Sequence, residues 1–407
     1  MHPIISALKH HKTTVILVAL EIALTCTIVI NALFLIGDRL GAMQVTTGVA
    51  DNELVWIRTS GLRDDITPAG QASRTAADLA ALRAMPGVKS VAMTNSLPLT
   101  PGGWSTCVHR QAGETDEQSV CPITMYLGTS GFVGTLGITL VKGRDFLPQE
   151  YADYAIFSGD PPPSSAIVTH ALAERLWPGE NPVGKPIHMG PHGKYAVHVV
   201  GVTSHLIKPS INKPGDAELN LLLPVRSIAG GRYVLRTNPA ARGAVLHDAP
   251  KVLERIDDQR IITDIHSYAD SVRDYWRGDR AMIWLLLVVI GCLLALTALG
   301  VVGLSSFWVQ QRTHTIGIRR AIGATRRDIL RYFLAENFLI VSFGIVVGCA
   351  GAVGLNLWLM QHYELHRMPL FWLPAGAAVL WLLGQLAVLG PAMRAANVPP
   401  VVATRSV

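Results

Sequence analysis

Charge is what this chain has least of. Only 16% of its 407 residues are Asp, Glu, Lys or Arg, while 50% are hydrophobic. An ordinary soluble domain carries about 25% charged residues. With a mean hydropathy of +0.34, the shortage excludes a purely soluble protein and calls for membrane spans. Cysteine is also scarce, with five in all. Cys26, Cys292 and Cys349 fall within apolar runs, where a thiol is ordinary packing. No H-E-x-x-H, G-x-S-x-G or paired C-x-x-C occurs, so no catalytic constellation is found and the chain is read as non-enzymatic. A pI near 9.1 would suit nucleic acid. The excess positive charge, however, lies beside apolar runs, which is a topology signal, and nucleic-acid binding is set aside.

Two further patterns fall short of sites. Residues 179–185 read GENPVGK, followed by Pro186. That is one residue short of a phosphate-binding loop, and the prolines remove N–H groups from the cradle. His188, His192 and His198 lie close together, but Gly190, Pro191 and Gly193 make the segment a turn and not a helix that aligns metal ligands. No metal site is expected.

What is present is four apolar runs, at residues 14–37, 281–309, 333–360 and 370–392. Each exceeds the roughly 20 residues that cross a bilayer. The first is too long for a signal-peptide core and no A-x-A follows it, so it is read as a retained span. Lys9 and Lys12 precede the first run, six arginines lie in residues 311–331 between the second and third, and Arg394 and Arg405 follow the fourth. The connection at 361–369 balances Glu364 against Arg367. The positive-inside rule then puts residues 1–13, 310–332 and 393–407 in the cytoplasm and 38–280 outside. The expected class is an α-helical membrane protein with four transmembrane helices and a large α+β extracytoplasmic domain made of two subdomains. Residues 2–12 are expected to form a short interfacial helix.

Within the outer domain, a strand at 53–58, a helix at 72–85 and a strand at 88–93 form one β-α-β pattern. A strand at 233–236, a helix at 244–256 and a strand at 261–265 form another. Between them lies material of different character, including a proline-rich loop at 160–163, a helix at 171–177 and a strand at 197–202. The reading is a split α/β subdomain with an insertion at about 130–220. Cys107 and Cys121, the two cysteines outside the apolar runs, are a candidate disulfide in an oxidising compartment. Glu21 and Glu336 are candidate intramembrane polar groups, which usually mark function or a buried contact. For Glu21 the packing alternative names Asn31, Gln385 or a backbone group. Gly344, Gly348 and Gly351 allow close helix approach, either between subunits or within the chain.

The arginine stretch at 311–331 carries five net positive charges of the +6 for the whole chain. Ile318, Ala321 and Ile322 share one face of a short helix, with Arg319 and Arg320 turned away. Gly323 is suited to end that helix. Thr325 and Asp328 match a capping box for the next. An apolar ridge flanked by arginines suits docking into a cleft on another protein.

The run Ile316, Gly317, Ile318, Arg319, Arg320, Ala321, Ile322, Gly323, Ala324, followed by Asp328, Phe333, Leu334 and Glu336, resembles the signature of the FtsX/MacB permease superfamily of ABC transporters. Gly390-Pro391-Ala392 with Arg394, then Pro399 and Pro400, is similar to that family's C-terminal end. Outer motifs around Gly137–Phe146, Ala173–Trp177 with Asn181–Gly184, and Val199–Val202 resemble the MacB-type periplasmic core domain. The resemblance implies four spans and a large periplasmic domain in a bacterial inner-membrane protein. It implies a dimer with a second permease copy or a paralogue, and makes Ile316 to Ala324 the ATPase-coupling segment. It further implies mechanotransmission, in which a cytoplasmic ABC ATPase binds ATP and Mg and moves the outer domain; no cofactor is expected on this chain. Because only a short segment precedes the first span, the ATPase is expected on a separate polypeptide. Efflux or export of a peptide, antibiotic or other small molecule, with a periplasmic adaptor and an outer-membrane channel as further partners, is the first expectation. The alternative is an FtsX-like or LolC/LolE-like permease that regulates a periplasmic hydrolase or signalling partner, or extracts lipoproteins.

Overall fold

The computed structural model describes residues 12–61, 67–100, 102–156, 159–211, 216–363 and 367–397. The interfacial helix expected at 2–12 lies outside these apart from Lys12, as do Lys9, Glu364 and Arg405. In chain order the elements are α1 (Lys12–Ala42), β1 (Leu54–Gly61), α2 (Pro68–Arg83), β2 (Val88–Thr94), β3 (Trp104–His109), β4 (Val120–Gly128), α3 (Phe132–Leu136) and β5 (Leu140–Gly143). They continue with β6 (Ser165–Thr169), α4 (His170–Leu176), β7 (Pro186–Met189), β8 (Tyr195–Thr203), β9 (Asn220–Pro224), β10 (Arg232–Thr237), α5 (Arg242–Ile256), β11 (Arg260–Ser267) and α6 (Tyr268–Tyr275). The last are α7 (Arg277–Gln311), α8 (Thr313–Ala321), α9 (Arg326–Tyr363) and α10 (Trp372–Ala396). Two compact units result: Met1–Met43 with Asp279–Val407, and Gln44–Gly278.

In the α+β unit, four strands run in the order β11-β1-β10-β2, each antiparallel to its neighbours. The two β-α-β patterns therefore interleave: β10 lies between β1 and β2, and β1 lies between β10 and β11. This is a split βαβ arrangement. Thr67 caps α2 by accepting from the Gly70 N–H at 3.2 Å, with Pro68 following at the first helical position. Leu79 and Leu82 of α2 and Val245, Ala249 and Leu253 of α5 bury against Val55, Val91 and Leu235 of the strands. The opposite sheet face buries Leu54, Trp56, Val234 and Tyr268 with Phe132 and Leu136 of α3. A buried Asp78 accepts from the Tyr233 hydroxyl at 2.5 Å and from Arg260 at 2.7 Å, tying α2 to β10 and β11.

The remaining strands follow the order β4-β3-β7-β8-β6-β9, and β9 returns to pair with β4. Hydrogen bonding thus closes into a ring of six strands, with β5 added beside β8. This ring begins at β3, before the boundary near residue 130 expected from sequence, because Trp104–His109 and Val120–Gly128 pair into it. It meets the four-strand set through the pair Thr94↔Gly128. The Thr94 hydroxyl donates to the Leu127 carbonyl at 2.8 Å, and the Met93 N–H donates to the Thr129 hydroxyl at 2.8 Å. Residues 179–185 form a turn leading to β7. A disulfide joins Cys107 and Cys121, whose Cα atoms are 4.7 Å apart, across β3 and β4.

The helical unit holds four helices long and apolar enough to cross a membrane. Lipid supplies no hydrophobic drive between helices, so close backbone approach must hold them. Gly344, Gly348 and Gly351 of α9 provide it against α1, which resolves their two readings in favour of packing within the chain. A Cβ at Gly344 would lie 2.8 Å from Ile22 Cγ2, one at Gly348 2.7 Å from the Ala23 carbonyl oxygen, and one at Gly351 2.6 Å from Thr27 Oγ1. The closeness lets Thr27 donate to the Gly348 carbonyl at 3.0 Å and Asn31 to the Ala352 carbonyl at 3.2 Å. Across α9 and α10, Asn337 donates to the Gly384 carbonyl at 2.9 Å.

Two tests follow from this packing. Gly348→Leu should force α1 and α9 apart, with an overpacking penalty of about 1–3 kcal/mol or more. It should lower the midpoint of thermal aggregation in detergent, whereas Gly291→Leu, where an added Cβ meets nothing within 4 Å, should leave it unchanged. In the α+β unit, Arg144 grips Glu150 through two contacts of 2.8 Å. That pairing, helped by the Leu147 N–H and the Ser165 hydroxyl, holds the Glu150 carboxyl down to about 2. A depressed carboxyl stabilises above its unfolded value and loses that contribution as pH falls toward about 2. Arg144→Ala should therefore reduce stability at neutral pH and flatten its decline between pH 5 and 2, measured by urea unfolding at several pH values.

Candidate functional site

The basic stretch is built from the end of α7 to the start of α9. Helical bonds continue past Arg312, with its N–H bonded to the Trp308 carbonyl at 3.1 Å and the Ile316 N–H bonded to its own carbonyl at 2.9 Å. The Thr313 hydroxyl donates back to the Val309 and Gln310 carbonyls, each at 2.9 Å, a pattern that bends helices. α8 then ends as its composition demands. Gly323 adopts φ +110°, which only glycine takes without strain, and the Ala324 N–H reaches back to the Arg319 carbonyl at 3.0 Å. The next helix opens on a reciprocal cap. The Thr325 N–H donates to Asp328 at 3.0 Å and the Asp328 N–H to the Thr325 hydroxyl at 3.3 Å.

The segment divides into an anchored face and an open one. Ile316 is buried among Ile329 and Phe333 of α9. The Arg319 guanidinium lies 5.1 Å over the Tyr332 ring. Ile318, Ala321 and Ile322 are exposed, with Ile322 at 81%. Ile316 is therefore an anchor and no part of the open ridge, and Arg319 turns back toward α9. Nothing is described for the Arg320 side chain. Arg326, Arg327 and Arg331 flank the ridge and are exposed.

The strongest tie is one that sequence reasoning missed. Arg312 Nη1 contacts both oxygens of Glu336, at 2.9 and 3.1 Å, and its guanidinium lies 5.9 Å over the ring of buried Trp308. Glu336 is only 2% exposed. Sequence had marked Glu336 as an intramembrane polar group and counted Arg312 as a topology charge, without joining them. The available signal was that Arg312 directly follows the apolar run of α7. Glu21, the other intramembrane candidate, is not brought into this site. It faces Gly300 of α7, where a Cβ would lie 2.7 Å from Oε2. Of the alternatives Asn31, Gln385 or a backbone group, the Asn31 amide donates elsewhere, to the Thr27 and Ala352 carbonyls. Among the described residues no group of three or more metal-ligating side chains occurs.

Comparison with known proteins gives two matches along the chain. Residues 13–249 match the MacB-like periplasmic core domain and residues 287–400 match the FtsX-like permease C-terminal domain. The chain belongs to the MacB/FtsX permease family. It is 27% identical over 262 residues to a macrolide export ATP-binding/permease protein, MacB, of Bdellovibrio bacteriovorus, covering 59% of this chain and 38% of that one. It is 28% identical over 254 residues to the pyoverdine export ATP-binding/permease protein PvdT of Pseudomonas putida, covering 59% and 38%. The chain thus spans less than two fifths of the length of these curated relatives. Among solved structures, the periplasmic region of MacB from Actinobacillus actinomycetemcomitans aligns at a TM-score of 0.33 with 14% identity, covering 56% of this chain and 93% of that one.

The ion pair is open to direct test. A buried charge left without its partner costs about 3–5 kcal/mol. Arg312→Ala and Glu336→Ala should each destabilise this permease, whereas Arg312→Ala combined with Glu336→Leu, which leaves no charge behind, should recover most of the loss. A double variant no more stable than either single one would reject the pairing. Thermal unfolding in detergent is the measurement.

Proposed function

We propose that the chain is the permease subunit of a MacB-type ABC transporter. In this reading a cytoplasmic ABC ATPase docks on the ridge of Ile318 and Ile322, and its closure on ATP and Mg drives α8. The displacement passes to the α+β domain by mechanotransmission, and the two strand sets of that domain act as two subdomains on the periplasmic side. A second permease chain, a copy or a paralogue, completes the assembly. The observation that carries this reading is an apolar, arginine-flanked ridge that stays exposed on a helix anchored on its other side by Ile316, Arg312 and Arg319. A segment serving only to orient the chain in a bilayer needs charge, but no fixed apolar ridge.

Export is the cargo function this supports best, because both relatives named above are called export proteins. The reading puts the termini and residues 310–332 in the cytoplasm, in keeping with the arginines. The chain itself performs no chemistry and carries no cofactor.

Ile318→Glu with Ile322→Glu tests docking without touching the anchor. Central apolar contacts at an interface contribute about 2 kcal/mol or more, so ATPase capture on the purified permease should weaken by about tenfold or more. Thermal stability and membrane insertion of the permease alone should be unchanged. Undiminished capture and undiminished ATP-driven export in this variant would discard the docking assignment.

A further inference from the structure

A cavity of about 560 Å³ opens in the α+β unit beside the disulfide. Its walls include Trp104 of β3, Cys121, Pro122 and Thr124 of β4, and Lys208 and Asp216 from the connection between β8 and β9. The volume falls within the roughly 300–1,000 Å³ of small-molecule sites. Lys208 is its unusual member. A lysine is rarely buried without a partner charge at contact distance, yet this one is only 8% exposed, pairs with no carboxylate at contact distance among the described residues, and donates from its ammonium to the Pro122 carbonyl at 2.8 Å. One carbonyl engages one of its three N–H groups.

Lys208 is also held in place. Its own N–H bonds to the Ala217 carbonyl at 2.8 Å, and its carbonyl accepts from the Leu99 N–H at 3.3 Å. The preceding Ile207 carbonyl accepts from the buried Tyr126 hydroxyl at 2.6 Å. The Cys107–Cys121 bond stiffens the adjoining wall. Burial pushes the ammonium below the ordinary lysine range, against the opposing pull of Asp216. A fixed, poorly solvated cation gains most from an anion brought to it. Trp104, 45% exposed, adds a flat apolar surface in the same cavity.

We propose that this cavity binds an amphipathic anion, with its acidic group on Lys208 and its aromatic or apolar body against Trp104. The assignment does not depend on the ATPase reading, since every group in it belongs to the α+β unit. Dansylglycine, a carboxylate on an aromatic body, is a suitable probe, and dansylamide is its uncharged counterpart. Fluorescence anisotropy is read with the full chain in phosphatidylcholine nanodiscs, after subtraction of empty discs. Dansylglycine should bind saturably, and dansylamide about tenfold or more weaker, the usual scale for losing a charge-assisted hydrogen bond. Lys208→Gln and Trp104→Ala should each weaken dansylglycine by a similar factor, and Lys208→Arg should retain it. Absence of saturable binding to the wild-type chain, or equal binding of the two probes to it, overturns the proposal even if Lys208→Gln fails to fold. Unchanged binding in a folded Lys208→Gln variant overturns it as well.

Discussion

A carboxylate removed from water must find a cation or give up its charge, and Glu336 of α9 is almost wholly removed. Its partner is Arg312, at the bend where α7 passes into α8. The geometry of the basic stretch depends on this pair. α8 cannot slide along α9 without carrying Arg312 away from Glu336, and the penalty for doing so exceeds what any exposed charge in the segment could offset. The pair acts less as a source of net stability than as a register pin. Ile316 and the stack of Arg319 on Tyr332 hold the rest of α8 to the same helix. The ridge of Ile318 and Ile322 is left facing outward because the side of α8 that meets α9 is taken by Ile316.

The helix that receives this pin is itself clamped. α9 meets α1 along Gly344, Gly348 and Gly351, close enough for hydrogen bonds from Thr27 and Asn31 to its carbonyls. α7 is held differently. An added Cβ at its Gly291 or Gly303 would meet nothing within 4 Å, and Trp284, Leu285 and Leu299 are exposed. It touches α1 through the Arg39–Asp279 ion pair, the packing of Ile283 and Ile290 with Val29, Ala32 and Ile36, the Thr25–Thr297 hydroxyl pair at 2.9 Å and the approach of Glu21 to Gly300. The helical unit therefore combines close backbone approach between α1 and α9 with side-chain packing and ion pairs along α7. Asp279 in its first turn and Arg312 just past its last residue are ion-paired to α1 and α9.

Much of this was legible in the sequence because its causes are local. The apolar runs set the helices, although each helix extends past its run on at least one side, since helical bonding does not stop where hydropathy does. Gly323, Thr325 and Asp328 specify their cap within a few residues. The pairing of Arg312 with Glu336 was not legible. It joins positions 24 apart in sequence, and their proximity depends on the angle at which α8 leaves α7, which no local pattern encodes. The ring closure of β4 on β9 was hidden for a related reason. A strand's sequence states which residues face inward but not which strand lies beside it, and β9 lies far along the chain from β4. The glycines of α9 were read as a close-contact surface, but their partner on α1 could not be chosen from spacing alone.

The two units reach stiffness by opposite means. In the α+β unit six strands close on themselves, so their hydrogen bonds leave no edge within the ring, and bending one strand strains its neighbours on both sides. The four-strand set keeps one edge at β11, where Arg260, Asp264 and His266 interrupt the apolar pattern and oppose pairing with another chain. In the helical unit no ladder exists between helices, and stiffness comes from backbone contact at glycine. A body that yields internally absorbs a push instead of passing it on. The proposed relay of displacement therefore needs each unit rigid in itself, with compliance confined to a few positions. α7 is tied in its first turn by the Asp279–Arg39 pair and, just past its last residue, by the Arg312–Glu336 pin. Weakening that pin would add compliance where the proposed push arrives, so the buried ion pair is placed where a flexible apolar contact would dissipate it.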